Sequence, residues 1–145
     1  MLWLINSFNF AFMTSSIVHY LGNLRTSCQH VASGKTIITD APIDNHGKGE
    51  AFSPTDLVAT SLASCMITIM GIYCHQHGII FQTAEAKVIK IMGNNPRKID
   101  KIIIEISLAG NDWDELTKTK VIQAGKACPV AKTLDGNVEM EFNIK

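Results

Sequence analysis

Two of the four cysteines, Cys65 and Cys128, lie in sequence surroundings that could support thiol chemistry. Cys65 is in the middle of a long apolar run, and Cys128 is followed directly by Pro129. Proline suits the first position of a helix, so Cys128 is predicted at an N-cap, near unpaired N–H groups and the positive end of the helix dipole. That position lowers the pKa of a thiol and favours the thiolate at neutral pH. A lone cysteine is more often a small buried hydrophobe, but a second thiol with chemistry of its own favours a functional pair.

The run around Cys65 predicts a helix over residues 53–77. Ser53 can cap its start, and Asp56 completes an S-x-x-D capping box. Apolar residues recur at three- and four-residue spacing but spread beyond one stripe, which predicts a helix that is buried on most sides. Cys74 lies about 180° round this helix from Cys65, so those two thiols cannot pair.

The composition excludes several classes of function. The chain has 145 residues, which suits one domain, and 13 basic residues balance 13 acidic ones, so neither nucleic acid nor a membrane is an expected partner. Four cysteines without a metal-type C-x-x-C motif suit a reducing compartment, and we predict a cytoplasmic protein. Residues 1–12 are apolar but too short to span a bilayer, and they lack the charged start of a signal peptide. They are predicted to be an N-terminal extension.

The remaining patterns predict strands and two further helices. The fold class is α+β, because strands and helices do not alternate as they do in a parallel α/β protein. In chain order we predict a β-hairpin over residues 17–39, a polar loop from Asp40 to Glu50, the helix 53–77, a strand over 81–91, a turn at 93–96, an antiparallel strand over 99–108, a helix from Asn111 that Gly125 ends, a short helix after Cys128 and a last strand over 138–144.

Two segments resemble the OsmC/Ohr superfamily of osmotically induced and organic hydroperoxide resistance proteins. They are ITDAPIDNHGKGEAFSPTDLVATSLASCMITIMG at residues 38–71 and AGKACPVAKTL at residues 124–134. The resemblance covers residues 13–145 and implies an OsmC-like domain that forms an intertwined homodimer, with a long helix from each chain at the centre and two sites at the interface. It also implies a thiol peroxidase that reduces organic hydroperoxides without a cofactor and is itself re-reduced by a dithiol, such as a lipoyl protein.

The resemblance also implies residue roles. Cys65 corresponds to the thiol that attacks the peroxide and Cys128 to the one that resolves the product into a disulfide. Arg25 corresponds to the arginine that supplies a positive charge. The family's orienting glutamate would lie ten residues before the first cysteine, where this chain has a threonine. The orienting carboxylate is therefore predicted to be Asp56 or, as an alternative, Glu50.

The residues leave other interpretations open. Without a positioned carboxylate, the chain could instead be a redox-sensing or small-molecule-binding protein with little peroxidase turnover. An RNA-binding module is disfavoured by the zero net charge and the lack of a G-x-x-G loop. Cys74, His75 and His77 are metal-ligand types, but positions two apart on a helix face different ways, so we predict a polar helix end and no metal site. Trp113 is predicted to be a packing anchor.

Overall fold

A computed structural model describes residues 14–145 of the chain, so the predicted extension of residues 1–12 lies outside the described residues. The described residues fall into two compact units, one ending at Pro54 and the other beginning at Thr55. The single domain predicted over residues 13–145 stays a prediction.

The first unit is a three-stranded antiparallel sheet in the order β1-β2-β3. Its strands are β1 (Ser16–Gly22), β2 (Arg25–His30) and β3 (Thr36–Asp40). The predicted hairpin is confirmed for β2 and β3, but its first strand is divided in two. Asn23 and Leu24 adopt positive φ angles of 52° and 61°, which reverse the chain between β1 and β2. A single-turn 3-10 helix, Ile43–Asn45, follows β3.

Three helices and a second sheet account for the rest of the chain. The elements are α1 (Pro54–Gln76), β4 (Glu85–Asn94), β5 (Arg97–Ser107), α2 (Glu115–Lys126), α3 (Pro129–Leu134) and β6 (Glu139–Ile144). The sheet order is β4-β5-β6. As predicted, β4 and β5 are antiparallel, whereas β6 runs parallel to β5 because α2 and α3 carry the chain back across the sheet.

The central strand β5 carries the apolar face predicted for it. Ile102, Ile104 and Ile106 alternate along the strand and are 0, 0 and 2% exposed. Strand β4 begins four residues later than predicted. Ahead of it, the backbone N–H groups of residues 82 and 83 donate to the Asn111 side chain, and the Phe81 ring packs on Trp113 with 5.4 Å between ring centroids. These contacts hold residues 81–84 out of the strand.

Helix α1 is the core helix of the second unit, but it is not buried on most sides of that unit. The buried residues form one stripe at helical spacing, namely Ala59, Leu62, Ala63, Met66, Met70 and Cys74. Val58 and Ile72 on another face are 40 and 47% exposed. Among the described residues, α1 is also the one helix long and apolar enough to cross a membrane by length and composition, which a core helix satisfies equally well.

Helix α2 ends at Lys126, one residue past the predicted stop at Gly125. Gly125 is a buried residue within the helix and packs against α1. The carboxylate of Asp114 caps the start by accepting the Thr117 N–H at 2.7 Å. At its other end, the helix passes through Ala127 into a short turn that leads to Cys128.

Candidate functional site

Cys65 lies half-buried on α1, at the border of the buried stripe. Two hydroxyls on the same side, those of Ser61 and Thr68, are exposed. Each donates to a backbone carbonyl of its own helix, to Val58 at 2.7 Å and to Ser64 at 2.8 Å. The Cys65 thiol therefore lies between an apolar core and a face whose hydroxyls are bonded to the helix backbone.

Cys128 occupies the N-cap of α3, as the adjacent proline predicts. Its backbone is extended, with φ −64° and ψ 151°, and Pro129 opens the helix. The sulfur accepts the backbone N–H of Ala131 at 3.3 Å. Unlike Cys65, the Cys128 side chain is fully buried, at 0% exposure.

Tertiary folding brings the two thiols together. Cys65 and Cys128 are 63 positions apart in sequence (128 − 65), yet Cys65 packs against the buried cluster that contains Cys128, and the two thiols are close enough to interact. Both are free thiols, as are Cys28 and Cys74. A half-buried sulfur in contact with a fully buried one is the arrangement needed for an internal disulfide to form after the outer thiol is oxidised.

The sequence-based expectation that Cys128 is an acidic thiol is wrong. Its pKa lies above the ordinary value, first because burial penalises the charged thiolate. The N–H of Ala131 lowers the pKa, but the hydrogen bond with Cys65 and the charge that Cys65 carries when ionised raise it further. Burial therefore outweighs the N-cap.

Arg25 is held by two carboxylates of the first unit. Its Nε and Nη2 donate to the two oxygens of Asp40 at 2.6 and 2.8 Å, and Nη2 also donates to Glu50 at 2.7 Å. The Asp40 side chain is 2% exposed and that of Glu50 is 61% exposed. The bidentate pair fixes the plane of the guanidinium, which a single contact would leave free to turn.

The sheet and the loop that follows it build this cluster. Antiparallel pairing of β2 with β3 sets Arg25 directly opposite Asp40. The loop then turns sharply, because the N–H groups of residues 45 and 47 both donate to the Pro42 carbonyl at 2.9 Å. The chain returns so that the Glu50 N–H donates to Asp40 at 3.0 Å. The hydrogen bond from Arg25 holds the pKa of Asp40 below its ordinary value, and the same bond raises the pKa of Arg25.

Asp56, the other carboxylate predicted for the arginine, is bound to Lys90. The Lys90 Nζ donates to Asp56 at 2.7 Å and to the Thr55 hydroxyl at 2.8 Å. Thr55 stands where the resemblance called for a glutamate. Of the two alternatives considered from the sequence, Glu50 contacts the arginine and Asp56 serves a different cation.

Asp40 is the residue that sequence reasoning missed, because it was assigned to a polar loop. An acid that ends the β-forming run Thr36–Asp40, just ahead of a proline turn, stands at the end of a strand, where cross-strand pairing can bring it opposite a basic residue. The position of Asp40 at a strand end was therefore the signal in the sequence that could have identified it as a partner of Arg25.

The other singled-out residues lie outside the thiol pair. The Nδ1–H of His77 donates to the Tyr73 carbonyl at 2.8 Å, and the His77 ring stacks on the Tyr73 ring with 4.0 Å between ring centroids. Within residues 14–145, the His, Cys, Asp and Glu side chains form no group of three that could hold a metal ion. Burial raises the pKa of Cys74, which is 1% exposed. The Trp113 indole N–H donates to the Ile80 carbonyl at 2.8 Å, and its ring packs against the buried core, as predicted for a packing anchor.

Comparison with protein families gives one match, to the OsmC-like proteins, over residues 47–143. A crystal structure from Psychrobacter arcticus, described as that of a candidate osmotic stress induced and detoxification response protein, is 45% identical, with a TM-score of 0.85. The alignment covers 92% of this chain and 96% of that one.

More distant solved structures share the fold. The organic hydroperoxide resistance protein OsmC of Legionella pneumophila is 14% identical, with a TM-score of 0.71 and coverage of 92% of this chain and 98% of its own. The organic hydroperoxide resistance protein OhrB of Bacillus subtilis is 17% identical, with a TM-score of 0.65, and the alignment covers 92% of this chain and 99% of that one. No curated protein matches the sequence.

Proposed function

The chain belongs to the OsmC-like protein family, which matches more than half of its length, and from that premise we propose that it reduces organic hydroperoxides with the thiols of Cys65 and Cys128. The contact between these two side chains is the observation that carries the proposal. It is supported by the hydroperoxide resistance named for distant relatives of the same fold.

The reaction has three balanced steps. The Cys65 thiolate attacks the distal oxygen of the peroxide, the O–O bond breaks, and the alcohol leaves with a proton, so that Cys65 becomes a sulfenic acid. The Cys128 thiol then attacks that sulfur, a disulfide forms, and water leaves. An external dithiol, of the kind found on lipoyl proteins, reduces the disulfide by two exchanges and is itself oxidised.

We assign to Arg25 the positive charge that the family resemblance implies for a peroxide-attacking thiolate, and to Asp40 and Glu50 the role of orienting it. A permanently charged, bidentately held guanidinium stabilises both the thiolate and the negative charge that develops on the departing oxygen. The salt bridges within the first unit support this role, because they fix the guanidinium before substrate binds.

The substrate class is bulky organic hydroperoxides. Partly buried apolar residues such as Ile69 pack with Cys65 against the core, and an alkyl group gains free energy when it leaves water for such a surface. Hydrogen peroxide has no such group, so its kcat/KM should be the lower one.

The proposal includes a cytoplasmic homodimer, as the family resemblance implies. The exposed Val58 and Ile72 on α1 support it, since a second copy of the helix would bury these apolar side chains. Sedimentation equilibrium of the full chain tests the dimer.

Stopped-flow loss of cumene hydroperoxide tests the enzyme activity. Wild-type protein should consume one equivalent per pair of thiols, and turnover should continue when a dithiol is added. Cys65→Ser should abolish the reaction, whereas Cys74→Ala, which removes a buried thiol at the opposite side of the same helix, should leave it intact. Slow peroxide loss that is insensitive to Cys65→Ser would refute the peroxidase.

A redox-sensing or small-molecule-binding protein is the second candidate. The observation that favours it is Thr55, which stands at the position of the family's glutamate and shares Lys90 with Asp56. A sensor would form the Cys65–Cys128 disulfide stoichiometrically but reduce peroxide no faster in the presence of a dithiol, and the same stopped-flow experiment distinguishes the two.

A further inference from the structure

Helix α2 approaches the core helix α1 at a residue without a side chain. A Cβ atom built on Gly125 would lie 2.5 Å from Met70 Cε, 2.8 Å from Met70 Cγ and 3.3 Å from the Met66 carbonyl oxygen. Real Cβ contacts below 3.0 Å essentially do not occur. Glycine inside a helix is less stabilising than alanine, so close approach is the physical reason for glycine here.

The same glycine is linked to both thiols of the proposed pair. Its carbonyl accepts the backbone N–H of Cys128 at 3.1 Å, which fixes where the turn after α2 places that residue. On the α1 side, Met66 is the residue directly after Cys65. Gly125 thus lies between the segment that carries one sulfur and the helix that carries the other.

We propose that Gly125 is a positioning residue for disulfide formation between Cys65 and Cys128, an inference that rests on the proposed thiol chemistry. A disulfide requires Cα atoms about 4.4–6.8 Å apart and correctly directed Cβ atoms. In the step that Gly125 assists, the Cys128 S–H and the Cys65 S–OH give an S–S bond and water. Met70 is fully buried, so its flexible side chain has little free space to move into, and the Met66 carbonyl belongs to the backbone. A side chain at position 125 would therefore push α2 away from α1 and move Cys128 with it.

Gly125→Ala tests this role, with Gly71→Ala as the matched control. Gly71 is also a helical glycine, but a Cβ there would meet the Phe81 ring at an ordinary 3.6 Å. The readout uses no peroxide: the equilibrium constant for the Cys65–Cys128 disulfide is measured against reduced and oxidised dithiothreitol. It should fall at least ~10-fold in Gly125→Ala and change less than ~2-fold in Gly71→Ala, because small displacements strongly weaken intramolecular reactions.

A double variant tests whether the clash with Met70, rather than misfolding, causes the loss of the disulfide. Met70→Ala removes both Met70 atoms that the new Cβ would strike, so the double variant Gly125→Ala/Met70→Ala should recover a disulfide equilibrium within about threefold of Met70→Ala alone. A folded double variant that recovers nothing, judged by circular dichroism, would overturn the proposal. So would an unchanged equilibrium in Gly125→Ala, or a wild-type protein that forms no disulfide.

Failure of the proposed function gives a different result. The wild type could form the disulfide in dithiothreitol buffer and yet not react with cumene hydroperoxide. That result would refute the peroxidase activity, whereas the role of Gly125 would still be decided by the disulfide equilibrium constants. In an active wild type, Gly125→Ala should still oxidise Cys65 at close to the normal rate and accumulate a sulfenic acid that dimedone traps.

Discussion

Raising the pH from 6 to 8 should accelerate disulfide formation between Cys65 and Cys128 about 100-fold. The attacking species is the Cys128 thiolate, and burial of this fully enclosed side chain raises its pKa above the ordinary value. Below the pKa, each pH unit multiplies the thiolate fraction about tenfold. The sign follows directly, because the neutral thiol is the form that burial favours and rising pH removes its proton.

The alternative expectation, from the N-cap alone, is numerically distinct. A thiol whose pKa is lowered below about 6 by a helix N-terminus would already be largely ionised at pH 6 and would gain little thiolate by pH 8. The two physical effects that act on Cys128 therefore predict clearly different responses to pH.

A pH-jump experiment isolates this step from the attack on peroxide. One equivalent of cumene hydroperoxide first oxidises Cys65 at low pH, and the protein is then mixed with buffer at the final pH, quenched with acid and alkylated for mass spectrometry. Cys128→Ser should give no disulfide at any pH, and Cys74→Ala should follow the wild type. A wild-type rate that changes less than about threefold between pH 6 and 8 would refute the dominance of burial.

Four further predictions concern the carboxylates and the core. Asp40→Asn should lower the initial rate with cumene hydroperoxide about 10-fold because the guanidinium loses its buried partner, whereas Glu50→Gln, at an exposed position, should cost less than about threefold. Because the pKa of Asp40 is held below its ordinary value, its contribution to stability is present above about pH 3.9 and is lost as the pH falls through the folded-state pKa. Over that interval, the free energy of unfolding should therefore change less with pH in Asp40→Asn than in the wild type. Asp56→Asn should leave the initial rate within about twofold and reduce the free energy of unfolding in urea by at most about 1 kcal/mol, as for a partly exposed ion pair; a larger loss of rate would restore Asp56 to the site. Ile104→Ala should reduce the free energy of unfolding by about 2–5 kcal/mol and Ile89→Ala, a half-exposed isoleucine on the neighbouring strand, by less than about 1 kcal/mol, and equal losses would contradict the burial pattern.

Much of the second unit could be predicted from local patterns. The Ser-Pro start of α1, the isoleucine alternation of β5 and the Cys128–Pro129 start of α3 each reflect the backbone geometry or periodic burial of a few consecutive residues. These are properties of neighbours in the sequence, so the sequence alone determined them. The division of the N-terminal strand was missed although Gly22 and Asn23, at φ 84° and 52°, are residue types that accept positive φ and commonly mark a turn.

The candidate site also has features that the sequence predicts and features that only the tertiary structure determines. Residue types identified the two thiols and, through a family resemblance, the arginine, but only tertiary structure decided the charge state of Cys128, the carboxylates on Arg25 and the close packing at Gly125. The physical reason is that desolvation, ion pairing and steric exclusion depend on groups that fold in from distant parts of the chain. A helix N-cap is visible in four consecutive residues, whereas the burial that outweighs it is supplied by the rest of the core.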